Sequence, residues 1–245
     1  MAGIRRNRRC GIHGKADRGL IRFPVAGLSV PAQDFLNTSI ESNHLPLVTQ
    51  DKIRNMTKFG SDINSALSSD GPIARESVLS WIEATADSDL PTLSKLYRIT
   101  GEGYYRIQPE LGGEPTCALI QKYLLGCIRD GVTDNEEIQE RYEAAESLHV
   151  WFRHLVGMEG TSAVLSRAAS AIMNLYLESG EEVRDAIETG FLEHVLETAA
   201  IRPYFEHWAS DPRLQPTWSR ALEWGKAHPD YMSGLFQRLQ RKDKE

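Results

Sequence analysis

Residues 161–178 read Thr-Ser-Ala-Val-Leu-Ser-Arg-Ala-Ala-Ser-Ala-Ile-Met-Asn-Leu-Tyr-Leu-Glu. Leu165, Ala168, Ala169, Ile172, Met173 and Tyr176 recur at steps of three and four, while Ser166, Arg167, Ser170, Asn174 and Glu178 fall on the other side. A 3.6-residue period of this kind predicts an amphipathic helix with one buried stripe. Thr161-Ser162 supplies the cap in front and Ser179-Gly180 the stop behind.

The same grammar extends in both directions. Towards the C-terminus, Glu181 to Ala199 predicts another helix, with Val183, Ala186, Ile187, Gly190, Phe191 and Val195 inward. Pro203, Pro212 and Pro216 then divide the tail into shorter helices, the last from Pro229 to about Arg241. Towards the N-terminus, Thr133-Asp134-Asn135-Glu136 reads as the start of a helix of about 22 residues, acidic in its first half and apolar from Leu148 to Leu155. A helix from Pro115 to Arg129 ends at Asp130-Gly131. Tyr104 to Glu114 is expected to be a loop with a short extended piece. Leu90 to Tyr97 follows the caps Asp87-Ser88-Asp89, with Pro91 in the first turn, and Val78 to Ile82 opens the earliest strong pattern. No β-branched run alternates with period two, and no repeat of fixed length occurs. The fold class is therefore all-α: an irregular stack of antiparallel helix pairs, either a bundle or a short HEAT-like solenoid, over residues 74–241.

Residues 1–73 read differently. Gly11, Gly14, Gly19, Gly27, Pro24 and Pro31 interrupt any early helix, and only Asp51 to Leu67 holds a weak helical pattern, before the stop Asp70-Gly71-Pro72. This stretch is expected to be a basic, weakly ordered leader that buries little. Its first 22 residues carry Arg5, Arg6, Arg8, Arg9, Lys15, Arg18 and Arg22 against Asp17, a net of +6 in a chain of net −6. The remaining 223 residues therefore carry −12. Three readings of the leader stand side by side: a nucleic-acid or membrane arm, an organelle-targeting leader, and a start placed too early, since Met56 offers another. Stacking aromatics, usual in nucleic-acid arms, are absent before Phe23.

Composition bounds the rest. Hydrophobic content of 41% and charged content of 25% suit a globular chain with a core of ordinary size. No run of eighteen apolar residues suggests a membrane span, and no apolar stretch follows the basic start as in a secretory signal. The cysteines, Cys10, Cys117 and Cys127, form an odd and sparse set that suits a reducing cytoplasm. On one helix, Cys117 and Cys127 would lie about 15 Å apart along the axis, too far to bridge.

No motif predicts chemistry. Glu146 and His149 make one Glu-x-x-His step, but a carboxylate-bridged di-metal site needs two. His149 and His154 point about 140° apart on a helix. His194 and Glu197 are three apart, and His194 lies at the edge of an apolar stripe, where a packed, hydrogen-bonded histidine is expected. Gly-x-Ser-x-Gly is absent, and Gly11-Ile-His-Gly-Lys15 lacks both the preceding strand and the spacing of a phosphate loop. No cofactor and no stoichiometric metal are expected. Tyr204, Phe205, Trp208, Trp218, Trp224, Tyr231 and Phe236 crowd the tail, which suits either a core of short helices or an aromatic contact patch.

One resemblance bears on function. The stretch from Ala171 to Val195, with a helix ending in Ser-Gly, then Glu-Glu-Val, then Phe-Leu-Glu-His, is similar to a pattern in a family of uncharacterised bacterial helical proteins. Such proteins often resemble immunity proteins of toxin systems. The resemblance is strongest over residues 161–197; it implies a helical partner-binding protein and carries over no catalytic residue. His194 stands where Asn is more usual.

The expected function is a cytoplasmic binding protein whose partner is another protein, basic in charge, such as a toxin met by an immunity-type inhibitor. A solenoid scaffold and an enzyme with a site built from scattered carboxylates and histidines are the alternatives. The residues expected to meet the partner are Glu137, Glu140, Glu181, Glu182, Asp185, Trp208 and Trp218. Membrane is not expected as a partner, and nucleic acid only through the leader.

Overall fold

The structure, a computed structural model, describes residues 50–228, with side chains from Phe59 onward. The readings of the leader before residue 50 and of the helix from Pro229 lie outside the described residues. Within them the fold is all-α. The elements are α1 (Gln50–Ser68), α2 (Arg75–Ala84), α3 (Leu90–Gly101), α4 (Gly113–Asp130), α5 (Arg141–Val156), α6 (Ser162–Glu178), a continuous helix over 181–195, a 3-10 helix (Arg202–Ser210) and α9 (Gln215–Ala227). The continuous helix comprises α7 (Glu181–Asp185), a π segment (Ala186–Leu192) and α8 (Glu193–Val195). The extended piece expected near Ile107 is a two-residue strand, Ile107–Gln108, paired in parallel with Ile73–Ala74.

Local signals account for most boundaries. Asp89 caps α3 by accepting a hydrogen bond from the Thr92 amide at 3.2 Å, with Pro91 in the first turn. Gly131 ends α4 at φ 61°, a left-handed position that favours glycine, and the Arg141 guanidinium lies across it where a Cβ would project. The stripe of α6 is buried as its spacing requires: Leu165, Ala168 and Ile172 have no exposed surface and Ala169 almost none.

Three expectations need correction. The acidic run after Gly131 is not helical, and α5 begins only at Arg141. Here the backbone finds one local side-chain partner and two tertiary ones instead of helical ones. The Asn135 side chain accepts from the Glu137 amide at 3.0 Å, the Tyr123 hydroxyl accepts from the Gln139 amide at 3.1 Å, and Ser94 donates to the Glu137 carbonyl. Ile138, 6% exposed, anchors the loop in the core. The helix from Glu181 widens into a π segment midway and stops at Val195, short of Ala199.

The third correction concerns the edge of the domain, expected at residue 74. Residues 59–73 carry structure that packs on the body. Ile63 is 1% exposed, and Phe59, Ala66 and Leu67 lie against the core. Arg106 fastens the end of α1 by donating to the carbonyls of Ala66 at 2.7 Å and Gly71 at 3.0 Å. Weak periodicity misled because a helix with one fully buried residue needs only that residue to dock. Deleting residues 1–70 is thus expected to lower the unfolding midpoint by about 5–10 °C. Burying one isoleucine contributes about 1.5–3 kcal/mol, and 1 kcal/mol moves a domain of this size by about 2–4 °C. A calorimetric shift below about 2 °C would show that the α1 contacts add no stability.

An aromatic cluster fills the core where α5, the π segment and the 3-10 helix meet. Phe152 packs edge-on to Phe191 at 5.2 Å between ring centres, and Phe205 touches both at 5.8 and 5.7 Å. Trp208 closes the cluster, 6.0 Å from Phe205 and 5.3 Å from Tyr176.

Candidate functional site

Two acidic stretches far apart in sequence meet along one seam. Arg141 at the start of α5 pairs with Glu182 at 2.8 Å, and the Tyr142 hydroxyl donates to Asp185. One turn on, Gly190 lies so close to Ala145 that a Cβ there would sit 2.9 Å from the alanine methyl. Further along, His149 faces His194 at 5.4 Å between ring centres, and Arg153 lies 3.8 Å from Glu197. Residue numbers rise together in these pairs, so α5 and the helix over 181–195 run parallel. α6 is the return between them. Polar groups occupy both ends of this seam, and Phe152 against Phe191 fills its buried side.

The outer end is acidic and exposed. Glu137, Glu140, Glu181, Glu182 and Asp185 are all exposed, and Glu140 occupies the N-cap of α5 without making a capping bond. Arg141 is held from behind by donating to the Ile128 carbonyl at 2.8 Å, so its charge is committed to this corner. The Tyr142 hydroxyl has its pKa raised, first by burial and then by its bond to Asp185. Glu188 behaves differently. Arg220 of α9 donates to it at 2.7 Å and Thr217 at 3.2 Å, so it braces α9 rather than facing outward.

The inner end brings together four polar side chains, of which His149 and Glu197 are buried and Arg153 and His194 partly exposed. Glu197 has a side chain only 1% exposed; its Oε1 lies 3.2 Å from Nδ1 of His194, whose side chain is 30% exposed. Arg153 is the nearest cation to its other oxygen, Oε2. His149 is 4% exposed, and neither ring nitrogen has a hydrogen-bond partner among the described residues. Burial, with the nearby charges of His194 and Arg153, pushes its pKa down to about 3, so the ring is neutral over the usual pH range. His194 is therefore hydrogen-bonded, as expected, to a buried carboxylate, but its ring is only partly buried.

Neither comparison with protein-family models nor comparison with curated proteins and solved structures gives a significant match.

Several chemistries find no support in the geometry. Among the described residues no three His, Cys, Asp or Glu side chains form a group able to hold a metal ion. At the inner end, Arg153 beside Glu197 would repel a cation. The thiols of Cys117 and Cys127 are buried on α4 and pushed up to about 11 and about 12, which keeps them protonated and poor nucleophiles. No described helix is long and apolar enough to cross a membrane.

The aromatic part of the expected contact surface is overturned. Trp208 is 0% and Trp218 6% exposed, so both belong to the core. Short helices cut by prolines show too few turns for their sequence to reveal which way a tryptophan points, and burying the large rings won. Trp224, 41% exposed and stacked on His228 at 4.1 Å, is the tail's described tryptophan at the surface. Sequence reasoning also missed the His149–His194 contact. The two histidines were read on separate helices, and nothing local signals that those helices run side by side. The available clue was that His149 falls between Leu148 and Phe152, on the buried face of α5.

Proposed function

We propose that this protein binds a basic protein partner through the acidic corner where the 131–140 loop, the start of α5 and α7 come together. The observation that carries this reading is the joining of the two acidic stretches by Arg141–Glu182 and Tyr142–Asp185. Local folding alone would not bring Glu137 and Glu140 to the side of the molecule that bears Glu181, Glu182 and Asp185. A surface rich in one sign of charge speeds encounter with a partner of the opposite sign. An immunity-type inhibitor of a bacterial toxin fits this design and agrees with the sequence resemblance over residues 161–197. Burial of Trp208 and Trp218 in the core supports the acidic corner over the aromatic tail as the contact surface.

The test begins with affinity capture from the native host, followed by surface kinetics on the protein recovered. Converting Glu137 and Glu140 together to lysine is expected to slow association about tenfold at low salt and to leave dissociation within about threefold. Raising ionic strength should slow the wild type more than the variant, since exposed charges are screened beyond about 10 Å at 0.1 M. Both side chains are exposed, so the variant should keep its unfolding midpoint. Association rates insensitive to both salt and charge reversal would remove this surface from consideration.

A further inference from the structure

The inner end of the seam has a property that partner binding does not explain. His149 projects from α5 into the seam and is sealed there, with both nitrogens unpartnered among the described residues and the His194 ring 5.4 Å away. Arg153 Nη1 and Glu197 Oε2 are likewise buried and without hydrogen bonds, separated by 3.8 Å. Buried polar groups are normally paired, so four such atoms in one cluster mark a place where the closed state is poorly satisfied. The cluster joins α5 to the C-terminal end of a helix whose middle is a π segment, a form that recurs at functional sites.

We propose that His149, set against His194, is an acid-sensitive latch between α5 and the helix over 181–195: the two helices stay together while the His149 ring is neutral, and part when it takes up a proton.

The charges around the ring make closure incompatible with protonation. From its own helix, Arg153 opposes a second positive charge; from α8, so does any charge on His194. Glu197, the carboxylate that could compensate, is turned to His194 Nδ1 and towards Arg153. Glu193, next to His194, has its own pKa raised by burial and so offers less negative charge as pH falls. Glu146, one turn before His149 on α5, is exposed. The sign follows from linkage. The ring is depressed to about 3 when closed and returns to the ordinary histidine value near 6.5 when open. The opened state thus binds the extra proton, and closure is fully favoured above about pH 6.5 and lost progressively below it. At pH 5 the opening equilibrium should rise about thirtyfold relative to pH 7.5.

Opening would separate Arg141 from Glu182 and Tyr142 from Asp185 only if it ran the length of the seam, so the latch stands apart from the proposed partner surface. Amide hydrogen exchange, corrected for intrinsic rates, is the direct test on the full chain at pH 7.5 and pH 5.0. Protection of residues 186–197 should fall about thirtyfold at the lower pH, while α3 and α4 change less than threefold. In His149→Leu the segment should be equally protected at both values. Uniform loss of protection throughout the domain, or no loss in this segment, would overturn the latch. Should the leucine variant fail to fold, titration of the His149 ring resonances in the wild type decides. A ring that takes up its proton near pH 6.5 with the segment still protected overturns the proposal; a ring that stays neutral until the segment opens supports it.

Discussion

Ile172→Asp is expected to leave no cooperatively folded protein at room temperature. Ile172 has no exposed surface and sits midway along α6, among Leu165, Ala168, Ala169 and Tyr176. The change forfeits the burial of a large aliphatic side chain, about 1.5–3 kcal/mol. It also puts a carboxyl group among apolar atoms. Kept charged, that group costs several kcal/mol; neutralised by a raised pKa, it still leaves polar atoms without partners. Against a total stability of about 5–15 kcal/mol, the combined loss removes most or all of the fold. Asn174→Asp is the control, because Asn174 lies on the exposed side of the same helix. It should change stability by about 0.5 kcal/mol or less. Circular dichroism with heat and urea decides the matter. A variant that melts cooperatively within a few degrees of the wild type would mean that the stripe is not buried.

That stripe was readable because nothing competes with its local signals. α6 presents four turns of consistent spacing, and α4 ends at a glycine whose φ of 61° the sequence pattern anticipates. Legibility failed where a tertiary partner outvoted the local pattern. Asp134 to Glu140 has good helical residues and a good cap. Its backbone is nevertheless held in a loop by Ser94 from α3 and Tyr123 from α4, residues some 16 to 43 positions away. α1 was legible as a helix, Asp51 to Leu67 against Gln50–Ser68, but its faint pattern did not show that it docks on the body, where Ile63 is 1% exposed. The candidate site divides in the same manner. Charge is visible in sequence, so the acids of the outer corner could be named beforehand. Which acids share a corner depends on α5 and the helix over 181–195 running parallel, a consequence of the α6 return and of Phe152 meeting Phe191. The inner cluster was least legible, since His149 and Glu197 reach their places only through that pairing.

The same alanine substitution should have opposite effects at two helical glycines. Gly225 in α9 lies against the backbone of residues 196–197; a Cβ there would sit 2.6 Å from the Leu196 carbonyl carbon, 2.7 Å from its oxygen and 2.8 Å from the Glu197 amide nitrogen. These are main-chain atoms with little room to yield. The Leu196 amide already donates to the Leu192 carbonyl at 3.0 Å, and its own carbonyl accepts from Arg202 at 2.8 Å. Gly225→Ala must therefore push α9 outward, loosening Ala221 and Trp218 from the core beneath them. Overpacking of this kind costs about 1–3 kcal/mol, while alanine recovers at most about 1 kcal/mol of helix propensity, and against unyielding backbone the cost should prevail. Gly60 in α1 has nothing within 4 Å of its would-be Cβ, so Gly60→Ala keeps the propensity gain and should stabilise by about 0.5–1 kcal/mol. Urea unfolding of both variants beside the wild type measures the two signs in one experiment. Because the Gly225 contact abuts Glu197, its alanine variant should also lose hydrogen-exchange protection first at residues 193–197, ahead of α3 and α4. A Gly225→Ala protein as stable as the wild type would mean that α9 does not approach the backbone at Leu196, and the buried setting of Glu197 would have to be redrawn.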